Sequence, residues 1–239
     1  MVIHGIQKLT LVDFPGHPAS ILFSGNCNFR CPFCQNAPLV LDSEDEPVLD
    51  NDEIFSFLKK RKKMLEGVVV TGGEPTINKD LIPFLSSLKD LGYLVKLDTN
   101  GYMPEVLRKA VESGVVDYVA MDIKTSPSRY STLICGNKSP FYGKTEYFEK
   151  ILVESSELVA SYPPDSREWR TVLVPGLVTK EDISAMSKLL PQDASWQFAQ
   201  FMNKNCLAPS YNDIYPYTDQ EAAELIDYAK TLIKNANLR

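Results

Sequence analysis

Cys27, Cys31 and Cys34 fall within eight residues in the run Gly25-Asn26-Cys27-Asn28-Phe29-Arg30-Cys31-Pro32-Phe33-Cys34, a C-x3-C-x2-C spacing with an aromatic residue before the last thiol. Thiolates so placed bind zinc or an iron–sulfur cluster. A structural zinc site closes with four ligands, whereas a cubic cluster held by three thiolates keeps one iron open to a substrate or cofactor. The zinc alternative would have to be completed by His17 or a distant cysteine. Only His4 and His17 are present as histidines, and neither has knuckle spacing.

Short β-rich runs alternate with helix-period segments, the pattern of βα units and a parallel sheet. The spacing predicts strands over Ala19–Ser24, Gly67–Thr71, Tyr93–Thr99, Asp117–Asp122, Arg170–Val174 and Trp196–Phe201. Helices are expected near Asn51–Leu65, Lys79–Leu91, Pro104–Ser113, Lys144–Ala160, Lys180–Leu190 and Thr218–Asn235, with Asp50 or Asn51 capping the first and Thr179 the fifth. Between them lie an acidic connection, Pro38–Pro47 with Asp42-Ser43-Glu44-Asp45-Glu46, and a long loop, Thr125–Gly143. Long loops without structure of their own are often functional, so this one is expected to border a substrate opening.

The chemistry-bearing residues share one position in this pattern. The cysteines follow the first predicted strand, Gly72-Gly73-Glu74-Pro75 follows the second, Asp98 ends the third, and Asp122 and Lys124 end the fourth. In barrels the C-terminal strand ends carry the active site. Asp98, Asp122, Lys124 and Arg170 are therefore expected at one mouth, and six units instead of eight suggest an open, partial barrel. Alone, a glycine pair after a strand is a tight turn, and a strand-end aspartate is a cap or one half of an ion pair.

Composition sets the class. With 239 residues, 44% hydrophobic and 23% charged, the chain can bury a core as a single domain, residues 1–239. No apolar run approaches the ~20 residues that span a bilayer, no signal pattern opens the chain, and five cysteines argue against a disulfide framework. A cytoplasmic protein without membrane partners is expected. A net charge of −6 opposes nucleic-acid binding, apart from Lys59-Lys60-Arg61-Lys62-Lys63. That run reads best as cations at a helix C-terminus, and second as a docking patch for an acidic electron donor. Cys135 and Cys206 read as buried small hydrophobes.

Taken with Leu97-Asp98-Thr99-Asn100-Gly101, Met121-Asp122-Ile123-Lys124 and Arg170-Thr171-Val172-Leu173-Val174-Pro175-Gly176, the cysteine run resembles the radical S-adenosylmethionine (SAM) superfamily. The opening Gly5-Ile6-Gln7-Lys8-Leu9-Thr10-Leu11-Val12-Asp13-Phe14-Pro15-Gly16 resembles the glycyl-radical enzyme activating enzymes within it, and most closely the compact anaerobic ribonucleoside-triphosphate reductase activating proteins. The resemblance implies an α/β fold, a partial open (β/α)6 TIM-like barrel. It implies a 4Fe–4S cluster on Cys27, Cys31 and Cys34, and SAM contacts from Phe33, Gly72, Gly73, Glu74, Lys124 and Arg170. Asp98 and Asp122, with Thr99, would hold a monovalent cation beside SAM. Reductive cleavage of SAM would yield a 5′-deoxyadenosyl radical that takes hydrogen from a glycine of a partner glycyl-radical subunit, with reduced flavodoxin or ferredoxin as donor. The competing readings are a radical SAM enzyme acting on a small molecule, similar to the deazapurine synthases, and a zinc-stabilised binding module. Gln35 stands where family members often carry histidine.

Overall fold

The structure, a computed structural model, describes residues 1–41 and 44–239. Asp42 and Ser43 of the acidic connection lie outside the described residues. The chain packs as two compact units, the first gathering Met1–Cys27, Pro38–Thr99 and Glu105–Val119, the second Asn28–Ala37, Asn100–Pro104 and Ala120–Arg239.

The first unit contains β1 (Ile3–Thr10), β2 (Ala19–Ser24), α1 (Ala37–Leu41), α2 (Asn51–Arg61), β3 (Gly67–Gly72), α3 (Leu81–Asp90), β4 (Leu94–Thr99) and α4 (Pro104–Glu112), apart from the first residues of α1 and α4. Strands β2, β3 and β4 run parallel in chain order, with Ser24 opposite Gly72 and Val70 opposite Leu97. Parallel strands are covered on both faces and so read as continuous apolar runs; Val68, Val69 and Val70 are all fully buried. Phe14, Ala19, Ile21, Val69 and Tyr118 form a cluster on which Phe23 and Leu94 pack. Asp50 caps α2 by accepting from the Asp52 amide at 2.8 Å.

Strand β1, which the strand pattern did not include, pairs antiparallel with β2 and brings Gly5–Thr10 of the opening motif alongside it. Its pattern hides it. Gln7, Lys8 and Leu9 are consecutive exposed residues, so the apolar alternation of a half-buried strand is missing.

Strand β5 (Tyr118–Asp122) ends in the second unit, which continues with α5 (Tyr130–Leu133), α6 (Thr145–Ala160), β6 (Arg167–Leu173), α7 (Lys180–Ser187), β7 (Trp196–Gln200), α8 (Asp219–Leu232) and β8 (Ala236–Leu238). Strands β6, β7 and β8 are parallel in chain order, with Trp169 opposite Trp196 and Trp196 opposite Ala236. Both indoles are fully buried, and each N–H finds a hydroxyl: Trp169 donates to Ser156 at 2.9 Å and Trp196 to Thr171 at 3.0 Å. Capping boxes start α7 at Thr179 and α8 at Thr218.

Two expectations are corrected here. Thr125–Gly143 is not structureless: Pro127–Arg129 forms a 3-10 turn that passes directly into α5. Pro127 presets the turn, and the fully buried Tyr130 anchors it by accepting the Lys124 amide at 2.7 Å. Helix α8 stops at Leu232, short of Asn235, because the chain turns extended at Ile233 and enters β8.

Candidate cofactor site

Cys27 closes the first unit's opening segment just beyond β2, while Cys31 and Cys34 belong to the second unit. None of the five cysteines is in a disulfide; Cys31 is buried, and Cys27 and Cys34 are half-buried. A turn joins Cys31 to Cys34, whose amide donates to the Cys31 carbonyl at 3.0 Å. The loop is clasped by backbone from far along the chain. Leu207 N–H donates to the Cys34 carbonyl at 2.8 Å, Ala208 N–H to the Pro32 carbonyl at 2.9 Å, and Arg30 N–H to the Ile134 carbonyl at 2.8 Å. Phe33 is buried within this turn. Among the described residues no group of three or more His, Cys, Asp or Glu side chains is gathered closely enough to hold a metal ion, so the candidacy of the cysteines as ligands rests on their type and spacing alone.

The glycine turn after β3 lies against the backbone before Cys27. Gly73 N–H donates to the Ser24 carbonyl and Glu74 N–H to the Asn26 carbonyl, both at 2.8 Å. Gly72 has φ of 120°, and a Cβ there would meet the Ser24 carbonyl oxygen at 2.3 Å. Glycine is thus required at 72 by backbone conformation and close approach. Glu74 is 1% exposed, and its Oε1 accepts from the Thr76 amide at 3.1 Å, the Thr76 hydroxyl at 2.5 Å and the Thr99 hydroxyl at 2.8 Å. The structure therefore joins Glu74 to the end of β4. Asp98, nearly as buried, faces Lys96 on its own strand, with Oδ1 3.4 Å from Nζ.

In the second unit Asp122 lies between two cations. Arg170 Nε donates to Oδ1 at 2.8 Å and Lys124 Nζ to Oδ2 at 3.2 Å. Desolvation works to raise the carboxyl's pKa, but Arg170 first and Lys124 second outweigh it and hold Asp122 well below the usual carboxylate range. Arg170 sits within β6 instead of opening it, and its carbonyl accepts the Ile123 amide at 2.8 Å. Burial pushes the Tyr130 phenol upward, and the neighbouring Cys31 adds to that rise. Asn100 Nδ2 donates to Asn28 Oδ1 at 2.9 Å, tying the motif after β4 to the cysteine run.

The remaining candidates have the following surroundings. Val174–Gly176 makes a turn, with Leu177 N–H on the Val174 carbonyl, and the Gly176 carbonyl accepts from Arg129 at 2.7 Å. Cys135 is a buried thiol donating to the Ser131 carbonyl at 2.9 Å. Cys206 is also buried, and its thiol is pushed upward by desolvation and then by the charge of Cys34. Lys59, Lys60, Lys62 and Lys63 are all exposed, and Lys62 donates to the Gly92 carbonyl at 2.7 Å. That cluster ends α2 at the start of β3, whereas Cys27 follows Ser24, which pairs with the last residue of β3. At ~3.3 Å per residue, roughly 17–20 Å of strand separates the two.

Residue-type reasoning missed Lys96, the anchoring role of Tyr130 and the Leu207–Ala208 clasp. A lysine inside an apolar strand, Leu94-Val95-Lys96-Leu97, was the available signal for the first; backbone donors carry none.

Comparison with known proteins completes the picture. Residues 21–152, more than half the chain, match the model of the radical SAM superfamily. A Methanocaldococcus jannaschii protein provisionally named a glycyl-radical enzyme activating enzyme is 28% identical over all of this chain and 95% of its own length. The 7-carboxy-7-deazaguanine synthase of Thermoplasma acidophilum is 25% identical over 66% of the chain and 70% of its own. The crystal structure of SuiB from Streptococcus suis bound to S-adenosylmethionine superposes with a TM-score of 0.60 at 18% identity, over 92% of this chain and 50% of SuiB. The chain thus spans about half of that solved relative, and the likeness carries the fold class expected from the sequence, the α/β partial open barrel. From the cysteine run through β5 the matched stretch carries the cluster spacing, the glycine turn and Asp122 in family order, and the chain belongs to the radical SAM superfamily.

Proposed function

We propose that this chain is a glycyl-radical enzyme activating enzyme, acting as one domain in the cytoplasm. The observation that carries the reading is the full-length match to the M. jannaschii protein, which includes the opening Gly5–Gly16 run outside the superfamily model.

Family membership implies a 4Fe–4S cluster and SAM, and the donor types present suit both. Cys27, Cys31 and Cys34 are unoxidised sulfur donors of the kind iron–sulfur clusters take. The glycines at 72 and 73 keep side-chain bulk away from the turn beside Cys27. In this reading the three cysteines hold the cluster. Phe33, Gly72, Gly73, Glu74, Asp98, Asp122, Lys124 and Arg170 serve SAM, Arg170 offering a fork and Lys124 a point charge. When bound, the reduced cluster supplies the electron that cleaves a carbon–sulfur bond of SAM. The chain's own part is to orient SAM, exclude water and admit a partner glycine, a residue without a Cβ to obstruct approach.

The partner we infer is a glycyl-radical subunit, anaerobic ribonucleotide reductase first, with reduced flavodoxin or ferredoxin as the electron donor. The test is anaerobic: cluster-loaded protein, SAM, reduced flavodoxin and the partner subunit should give a glycyl EPR doublet and release 5′-deoxyadenosine. Replacing the partner's glycine should remove the doublet. Productive turnover of a small metabolite with no radical on any glycyl subunit would instead favour the reading that the deazaguanine synthase likeness supports.

A further inference from the structure

Lys96 is a charge that the proposed function leaves unused. It lies two residues before Asp98 on β4, so the two side chains leave the strand on the same face. It is fully buried. Its Nζ donates to the Asp13 carbonyl at 2.6 Å, stands 3.4 Å from Asp98 Oδ1, and lies 5.3 Å from the centroid of the Tyr118 ring. Three separate pieces of sequence thus surround one ammonium: the opening run, the strand that carries it, and the start of β5.

A buried charge is kept only where partners answer it, and the argument applies to both members of the pair. Asp98 is 7% exposed and has a cation beside it. An alkali-metal ion at this carboxylate would have to be stripped of water and placed beside an ammonium of like charge. Asp122 is answered more closely still, by hydrogen bonds from Arg170 and Lys124, whereas Lys96 stands at ion-pair distance from Asp98. Each aspartate thus has a protein cation at ion-pair distance, and a monovalent ion at either would have to share its carboxylate with that cation.

We propose that Lys96 is the resident counter-cation of Asp98, a positioning residue that stands in for the monovalent cation implied by the family resemblance. The opening run has a part in this. Thr10 Oγ1 donates to Asp13 Oδ2 at 2.6 Å, fixing the loop whose carbonyl receives Nζ, and the buried Phe14 packs against Tyr118 with ring centroids 5.7 Å apart. The motif that resembles the activating enzymes thereby holds the ammonium in place.

The inference rests on the reading that Asp98 serves SAM, and its principal test needs neither SAM nor cluster. Sodium-23 NMR line broadening is measured on the protein, with potassium as competitor. The wild type should show no saturable broadening that Asp98→Asn removes. Lys96→Met should gain a saturable, potassium-displaceable site that disappears in the Lys96→Met/Asp98→Asn double variant; Lys96→Gln serves if the methionine variant fails to fold. A sodium site at Asp98 in the wild type, or no gained site in the folded variant, overturns the proposal. In a second arm, cluster-loaded wild type should bind SAM within twofold in sodium, potassium or tetramethylammonium chloride at equal ionic strength. A larger dependence overturns it as well. Failure to bind SAM in any salt would count against the proposed function and leave the sodium result to judge Lys96.

Discussion

Gly73 and Asn26 lie so close that a Cβ on Gly73 would sit 1.8 Å from the Asn26 carbonyl oxygen, a contact that backbone cannot relieve without moving. The glycine turn and the segment entering the cysteine run are therefore one packed unit. Gly73→Ala should cost about 1–3 kcal/mol through overpacking. Gly5→Ala, whose added carbon would meet nothing nearer than 3.5 Å, should be close to neutral. Urea unfolding of both variants checks the contrast, and equal losses would refute it.

Thr99 reaches Glu74 with its hydroxyl inside the protein. Thr99→Val keeps the shape and removes the donor, so it should destabilise by about 1.5–3 kcal/mol, the range for hydrogen bonds to charged groups. Thr99→Ser, which keeps the hydroxyl, should lose less than half as much. Denaturant melts at neutral pH decide between them.

Asp122 predicts an acid dependence with a definite sign. Its folded pKa lies below the unfolded value, so its contribution is fully present above the ordinary carboxylate pKa near ~3.9 and is lost as pH falls toward the folded value. The stability gap between wild type and Asp122→Asn should therefore be constant from pH 7 to about 5 and shrink below about 4. Arg170→Ala should narrow the same gap, since it removes the strongest opposing charge. A gap that widens on acidification would contradict the pairing.

The basic end of α2 lies at the far end of β3 from Cys27. Replacing Lys59, Lys60 and Lys63 together by Gln should leave the rate of cluster reduction by flavodoxin unchanged within twofold at physiological ionic strength. A tenfold loss that disappears at high salt would restore the docking reading.

How far these relationships could be read in advance depended on what made them. Strand β2 was legible to the residue because both its ends are marked, by Pro18 before and Gly25 after an apolar run. The strand-end residues were legible by type, since carboxylates and cations seldom close a buried strand without a task. Their pairings were not. That Arg170 answers Asp122 depends on the register of β6, whose start at Arg167 lies upstream of the expected Arg170. Strand β1 escaped because an edge strand can expose successive residues, and Lys96 because a single lysine does not break an apolar pattern.

The clasp on the cysteine loop has a consequence for biosynthesis. Gln35 beside Cys34 hydrogen-bonds the Met202 carbonyl 167 residues later, and Leu207 and Ala208 bond the same loop from just beyond. At a translation rate of ~5–20 residues per second, the loop waits roughly ten to thirty seconds after its own synthesis for these partners. Until then its thiols stand without the surroundings that the finished fold gives them. Metal loading on the nascent chain would act on an unclasped loop, and loading after release on a finished one.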